Sequence, residues 1–549
     1  MRKIDLLVIS FIIIASIFTL RDLFKPGFYT SHDGIHQVPR LYYFDQAIRD
    51  GQIPPRWAGG LLNGFGYPLF IFSYHFPWFI GETLHLSGLS IIESIKMTFL
   101  IGYVLSGITV YFFQKALFGR LAAFTGTIVY LFAPYRFSNI FVRAAIGDAT
   151  AFIFPPMLFM AAYKIKQEKK SLKWILLGAL ALAGLLLSHA MVFLLFFFAF
   201  LLYSVLSLLL IESKWDFTKK IFLLIFLGLG LASYYLIPSI MEKSFTVFHS
   251  VLANVYMGNA FVSIKELLYS PWGYGLMHAE EGGMSFQVGI AQWLAFILSF
   301  IILVGYLLIK KNNKKKDQLV FEGMIFFILF IFSLIMMLPI SLPVWKYVGN
   351  FMVIDFPWRI LSLTIFSASV LSSFMVSRMR WPYLAIIIII FLAFYGNRNH
   401  LRINKSLDWP LSFYLKLEKT TNSFDEYSPN WVRRELIKEN TPKAQFFPEV
   451  AQIQIIENKS NSLKLLINSS SSGILRVNTV YYPGWEMAVD KVGTKIDYSN
   501  GLIEAKISQG ARRIDLQFKE TTTRKIADIL SLVSLLIVVL GLYRSIRYA

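Results

Sequence analysis

The sequence predicts a polytopic α-helical membrane protein that carries a small β-sandwich outside the bilayer. Three observations predict it. Hydrophobic residues make up 56% of the 549 residues against 16% charged, and they run in long blocks separated by short charged clusters, as bilayer-crossing helices require. The formal charge of +20 is scattered among those clusters. A nucleic-acid reader would gather it on one basic face, whereas a membrane protein uses it to mark cytoplasmic loops. Between about 397 and 525 the polar content rises, and runs of period two replace the apolar blocks.

The N-terminal "MRKIDLLVISFIIIASIFTL" has a charged start and an apolar run, with no small-x-small cleavage site behind it, and is expected to be an uncleaved first span. Apolar runs near spanning length follow at about 94–114, 121–134, 149–165, 174–188, 191–211, 220–238, 288–309, 321–339, 358–377, 381–396 and 526–543, about twelve spans in all. With the N-terminus in the cytoplasm, the inward connections are "KALFGR", "KIKQEKKSLK", "ESKWDFTKK", "KKNNKKKD", "RMR" and the tail "RSIRYA". All are rich in Lys or Arg, so both termini of this multi-pass plasma-membrane chain are expected inside. The long segments 21–93, 134–148, 238–287, 340–357 and 397–525 then share the extracellular face, where any active site should lie. The chain divides into a transmembrane region with large external loops (1–396), an external β-rich region (397–525), and a last helix with its tail (526–549). Runs such as "SLKLLIN", "GILRVNTV", "LIEAKI" and "RRIDLQFKE", separated by Gly, Asn and Ser turns, predict the sandwich. The chain has no cysteine, which excludes disulfides, thiolate metal sites and a cysteine nucleophile.

The first external loop opens with "TSHDGIHQVPRLYYFDQAIRDGQIPPRW". Ile35, Val38, Leu41, Tyr42 and Ile48 keep helical spacing, Pro39 is expected in the first turn, and Gly51 stands as the stop, which predicts a short amphipathic helix on the membrane surface. Asp33 precedes it. Either Ser31 or Asp33 caps the helix, or Asp33 is a carboxylate at the water–lipid boundary that works as a general base. In the following Gly- and aromatic-rich stretch, Trp57, Tyr74 and Trp78 taken singly read as an interfacial belt, and taken together as a groove for a lipid or sugar ring. Arg136 and Arg143, in "APYRFSNIFVRAAIGD", could anchor headgroups or hold a phosphate. Arg359, in "DFPWRIL", enters a span, where an arginine is costly without an anionic partner. His189 is expected to bond a neighbouring backbone carbonyl, and Glu280 and Glu281 to be solvated within a loop that covers the site.

"HDGIHQVPRLYYFDQAIRDGQIPPRWAGGLLNGFGYPLF", "FGRLAAFTGTIVYLFAPYRFSNIFVRAAIGDATAF", "DFPWR" and "YYPGWEMAVD" resemble the bacterial membrane proteins labelled 6-pyruvoyl-tetrahydropterin synthase-related. These in turn resemble the YfhO-like proteins and the GT-C superfamily of polyprenyl-phosphate-sugar-dependent glycosyltransferases. The resemblance covers nearly the whole chain and is strongest over 31–160. It implies a GT-C-like transmembrane region, an acidic residue in the first external loop that acts on the acceptor, and often a second in the next external loop. Asp33 and Asp148 match those positions as the catalytic pair. His32 stands where a second adjacent carboxylate would be, so a divalent metal, Mg or Mn, is left open and no other cofactor is implied. His32, His36, Trp57 and His189 are expected to contact or support the substrate.

Nucleotide sugars are absent outside the membrane, and neither a Rossmann Gly-rich turn nor a D-x-D motif is present. A polyprenyl-phosphate sugar is the consistent donor, and a cell-envelope glycan or lipid the acceptor. Asp33 would take the acceptor proton, while Arg359, Arg136 and Arg143 would hold the leaving phosphate, with inversion at the anomeric carbon. Two other classes compete. A lipid or polysaccharide transporter or flippase needs ionisable groups near the bilayer midplane, and the predicted spans hold almost none. A non-catalytic membrane scaffold would tolerate change at Asp33.

Overall fold

The computed structural model describes residues 3–252, 260–277, 282–309, 314–349, 356–417, 419–448 and 451–547. Glu280 and Glu281 lie outside them. Every apolar run of the sequence is helical, from Lys3–Thr19 through Ile91–Phe118 and Arg120–Leu131 to Thr522–Arg547. Length separates them. Among the described residues seven helices are long and apolar enough to cross a membrane, and an eighth counts if Lys214–Leu231 and Ser233–Met241, bent by 74° at their junction, act as one span. Arg120–Leu131, Leu172–Ser188 and Pro382–Asn397 are apolar but shorter. At 1.5 Å per residue, a 12-residue helix such as Arg120–Leu131 rises only about 18 Å against a hydrocarbon core of about 30 Å. The predicted twelve spans are therefore twelve helical segments, seven or eight of which meet the length of a crossing.

Leu361–Arg378 occupies the centre of the bundle, and the span that contains it is 94% buried. Its small hydroxyl residues make this position available. Ser373 Oγ donates to Gln114 Oε1 at 2.6 Å, Gln114 Nε2 donates to Ser369 Oγ at 2.9 Å, and Gly126 lies so close that a Cβ there would stand 2.6 Å from the backbone oxygen of Ser369. Small residues at such a contact let helix backbones approach in an apolar solvent where hydrophobicity cannot drive association. Thr522–Ser545 is peripheral, with 22% of its span buried.

The predicted amphipathic helix is Gly34–Arg49. It is less of a surface element than expected, because Val38, Leu41, Phe44 and Ala47 are fully buried in a core shared with Ile91–Phe118 and Phe76–Leu86. Pro39 falls inside the helix instead of in its first turn. The helix begins at Gly34, directly after Asp33 at the N-cap, as expected.

The β-rich region is a sandwich of antiparallel strands. One sheet has the order β4–β5–β10–β7–β8 and the other β3–β6–β9, with β3 Ala444–Phe447, β4 Gln452–Lys459, β5 Ser462–Ser469, β6 Gly473–Val480, β7 Trp485–Val489, β8 Val492–Thr494, β9 Leu502–Ile507 and β10 Gly510–Phe518. Leu463, Leu465 and Ile467 of β5 alternate inward, as period two requires. Two features were not anticipated. Trp57, Phe65, Ile71 and Phe72 of the segment 21–93 complete the sandwich core. In addition β1 (Phe28–Tyr29) pairs antiparallel with β2 (Ser406–Leu407), so the chain just after residue 397 belongs with the first loop and the strands of the sandwich begin at Ala444.

Candidate active site

The site is assembled where the segment around Tyr29–Gln37 meets the segment around Ser138–Asp148. His32 N–H donates to Val142 O at 3.0 Å and Asp33 N–H to Arg143 O at 2.8 Å. The Tyr29 hydroxyl donates to Ile140 O, and Gln37 Nε2 to Ala144 O at 3.1 Å. The second loop is wound as a π-helical turn, Ser138–Arg143, and closes at Ala144 with φ +54°. A left-handed alanine costs roughly 1–2 kcal/mol, and π turns recur at functional sites. Here the widened turn and the reversal aim Arg143 back at Asp148.

Asp148 is the hub. Its Oδ2 accepts from Arg143 Nη1 at 2.7 Å, and its Oδ1 lies 3.3 Å from both Arg359 Nη1 and His189 Nε2. All are largely buried; the Asp148 side chain is 2% exposed. Arg143 Nη1 also donates to Asn139 Oδ1 at 2.6 Å, so Arg143 spends one nitrogen on two partners. His189 caps the helix Ala190–Ser207 by accepting from Val192 N–H through Nδ1. That leaves Nε2 to carry the hydrogen and donate to Asp148. The expected bond from His189 to a backbone carbonyl is replaced by this pair of roles. Trp358 lies against both arginines, its ring 4.8 Å from the Arg143 guanidinium carbon and 5.7 Å from that of Arg359. Its buried indole N–H finds no acceptor among the described residues.

Asp33 sits at the N-cap of Gly34–Arg49, yet its side chain makes no capping bond, and Ser31 Oγ turns instead to Tyr29 O. The carboxylate accepts no hydrogen bond from a described side chain, and it lies in the electrostatic reach of Arg143 and His32. His36 follows in the first turn, its N–H on Asp33 O at 3.1 Å. His32 Nε2 is 3.1 Å from the carbonyls of both Tyr274 and Gly275. Burial is the main cause that lowers its pKa, so the ring is a neutral donor to that strap at pH 7. Tyr74 stacks on Trp78 at 5.9 Å and leans on His189 at 5.5 Å. Its hydroxyl is pushed up to about 12, first by burial, with Asp33 and Asp148 adding to the rise and Arg40 and Arg359 opposing it. It therefore remains a protonated donor among these charges. Gly147 makes room: a Cβ there would meet the Tyr74 ring and Ser188 O, each at 2.8 Å.

Two predicted site residues stand elsewhere. Arg136 is 1% exposed in a cage of Tyr103, Tyr130 and Phe152, 4.4–5.1 Å from their ring centres, and donates through Nη2 to Ser106 Oγ. Its pairing is with π faces, and none of its described contacts is with Asp148, Arg143 or Arg359. Trp57 is buried in the sandwich core against Trp485 and Phe518, so it does not line the Asp148 cluster. Conversely Asn139 and Trp358 belong to the cluster and were not singled out as site residues, whereas Tyr74, expected either in an interfacial belt or in a groove, also belongs to it. The spacing of Asn139 and Arg143, four residues apart before an Asp, was the available signal for Asn139. Among the described residues no three His, Cys, Asp or Glu side chains gather as a metal-ligand set, and both oxygens of Asp148 are already engaged.

No family model matches the chain. An uncharacterized protein of Lactococcus lactis subsp. cremoris (strain MG1363) is 24% identical over 368 residues, covering 64% of this chain and 54% of that protein. The chain thus spans about half the length of this curated relative. Among solved structures, the oligosaccharyltransferase AglB from Archaeoglobus fulgidus, in complex with an inhibitory peptide and a dolichol-phosphate, aligns with a TM-score of 0.46 and 10% identity over 73% of this chain and 55% of that one. ArnT from Cupriavidus metallidurans bound to undecaprenyl phosphate aligns with a TM-score of 0.43 and 13% identity over 74% of this chain and 67% of that one.

Chemically, the cluster offers two guanidinium groups oriented by one carboxylate, a neighbouring indole N–H and a phenol that stays protonated. Beside them is the Asp33 carboxylate, which no described side chain hydrogen-bonds and which lies in the field of Arg143. Donors of that kind suit a phosphate, which guanidinium forks bind with fixed geometry. The remaining carboxylate is placed to accept a proton.

Proposed function

We propose that this protein transfers a sugar from a polyprenyl-phosphate-linked donor to a hydroxyl of a cell-envelope glycan or lipid at the outer membrane face. The observation that carries the reading is the convergence of Arg143 and Arg359 on Asp148 beside the Asp33 carboxylate, which makes no capping bond. In the reaction, the acceptor oxygen attacks the anomeric carbon and gives its proton to Asp33. The bond from that carbon to the phosphate oxygen breaks, and its electron pair leaves with the phosphate. Arg143 and Arg359 meet the charge that develops there, and preorganised donors in a water-poor site cost little reorganisation at that moment. Single displacement inverts the anomeric carbon. Asp148 and His189 act as positioning residues that hold the arginines. Arg136, caged in aromatic rings, has no part in the step, and none is routed through a metal, since an ion at Asp148 would have to displace the guanidinium groups. The GT-C resemblance of the sequence points to the same chemistry.

The test is mass spectrometry of the purified protein for a retained polyprenyl phosphate, with Arg143→Ala alongside, followed by transfer assays from polyprenyl-phosphate sugars. Retention in the wild type, loss in the variant and transfer of label to an acceptor are expected. A folded wild type that neither retains nor consumes such a lipid refutes the reading.

A further inference from the structure

A second site lies farther along the same helix. Gly34–Arg49, the glycine-rich turn at 57–66 and the near edge of the sandwich enclose a cleft of about 330 Å³, within the usual range of small-ligand sites. Tyr42 and Tyr43, which line it, stand nine and ten residues beyond Asp33. At 1.5 Å per residue that is roughly 14–15 Å along the helix axis. The cleft is therefore distinct from the Asp148 cluster but continuous with the element that carries Asp33.

Its walls mix two kinds of group. Tyr42, Tyr43, Trp57 and Trp485 supply rings, and Lys443 and Lys459 supply cations, with amide and hydroxyl side chains between them. Glycine brings these walls together: a Cβ at Gly60 would stand 2.3 Å from the Tyr43 ring, and one at Gly59 2.7 Å from Ser460 Cα. Rings beside hydrogen-bonding groups fit a sugar, which presents an apolar C–H face and polar edges.

Lys443 narrows the choice of ligand. Its Nζ donates to Gly64 O at 2.7 Å and to Asn478 O at 3.4 Å. Both are neutral acceptors, and no described carboxylate pairs with the ammonium. Burial pushes its pKa down to about 8, the expected response of a cation taken out of water without a counter-charge. An anion brought into the cleft would supply that charge.

We propose that this cleft docks a glycan bearing an anionic group, with its carboxylate or phosphate on Lys443 and its sugar rings against Tyr42, Tyr43 and Trp485. The proposal rests on the transferase reading only where it identifies this glycan as the acceptor. Docking itself does not depend on that reading. Binding should weaken as pH rises through about 8, because Lys443 then loses its proton and with it the counter-charge. The other titratable groups facing the cleft include Tyr43 of the helix, whose hydroxyl burial pushes up to about 12, and Tyr42 and Lys459 in its wall, while Arg476 of the neighbouring strand is paired with Glu504.

The experiment is calorimetric titration of the full-length protein in detergent with trigalacturonate, a phosphorylated maltotriose and neutral maltotriose. At least one anionic probe should bind about tenfold or more tighter than the neutral one, the worth of a charge-assisted hydrogen bond, and which one does so names the carboxylate or the phosphate. Lys443→Gln should abolish the preference at an unchanged melting temperature. The fall in wild-type affinity between pH 7 and pH 9.5 tests the same point should that variant misfold. Equal binding of charged and neutral probes, an unchanged preference in Lys443→Gln, or a flat pH profile overturns the proposal. Asp33→Asn separates the two readings: it should dock the anionic probe as the wild type does while losing transfer. Docking with undiminished transfer would refute the catalytic role of Asp33 and leave this cleft standing.

Discussion

Asp33 and Asp148 are the same residue type in opposite settings, one without a capping bond and one buried between arginines. Asp33 contributes no side-chain cap, so Asp33→Asn should leave thermal stability within about 0.5 kcal/mol of the wild type, the usual range for a change that breaks no specific contact. Transfer should fall by roughly 10²–10⁴, the range for loss of a general base. Asp148→Asn removes a charge paired with two buried guanidinium groups. Breaking a buried pair by taking out one partner costs about 3–5 kcal/mol, so this variant should lose stability and lipid retention together. Thermal melts and transfer rates on the same preparations distinguish the two. A loss of stability in Asp33→Asn as large as that in Asp148→Asn would make Asp33 structural. The sequence made Asp33, Arg143, Asp148, His189 and Arg359 candidates, because charged residues and histidines beside apolar runs are conspicuous. It could not show that Asp148 would be occupied by arginines, since Arg359 lies 211 positions away and its partner is chosen by packing.

At the scale of elements, the helix in each long apolar block was legible because such blocks have no other stable form in a bilayer, whereas shorter helices such as Phe76–Leu86 and Leu342–Gly349 were not. Nor were the helix lengths, or the 74° bend, since packing against neighbours decides where a helix ends. Arg136 shows the same limit. Its cage draws Tyr103, Tyr130 and Phe152 from separate helices, and no local pattern announces it. Period two identified the strands of the sandwich, yet Trp57 read as an interfacial residue because its core partners Trp485 and Phe518 lie more than four hundred residues on. Close packing at Gly126 gives a direct check on helix arrangement. A methyl group there would stand 1.9 Å from Gln114 Oε1 and 2.6 Å from Ser369 O, and the latter is backbone that cannot turn aside. Gly126→Ala should cost about 1–3 kcal/mol through overpacking, read as a lower melting temperature in detergent. An unchanged melt would mean that these helices are farther apart than described.

Across the whole molecule, orientation and interdependence are the two open physical questions, and each has its own test. The absence of cysteine makes an introduced thiol unique, and Asn468 and Lys169 are both exposed. Lys169 belongs to a lysine-rich connection and Asn468 to the sandwich, so the positive-inside pattern expects an impermeant thiol reagent on intact cells to label a cysteine at 468 and spare one at 169. Labelling of both would invert or break the topology. The sandwich, for its part, is built into the membrane-proximal region. Trp57, Phe65, Ile71 and Phe72 finish its core, Arg524 at the start of the last helix grips Glu242 through two bonds of 2.8 and 2.7 Å, and Arg56 reaches Asp528 at 2.7 Å. Excising 444–518 would return those four large side chains to water at about 1.5–3 kcal/mol each, in the loop that follows the helix carrying Asp33. The excised protein should therefore become protease-sensitive between residues 50 and 75 and lose transfer, even though Asp148, Arg143 and Arg359 remain. Resistance of that loop to limited proteolysis, with polyprenyl-phosphate retention intact, would show instead that the sandwich is an appendage and that the reaction site stands without it.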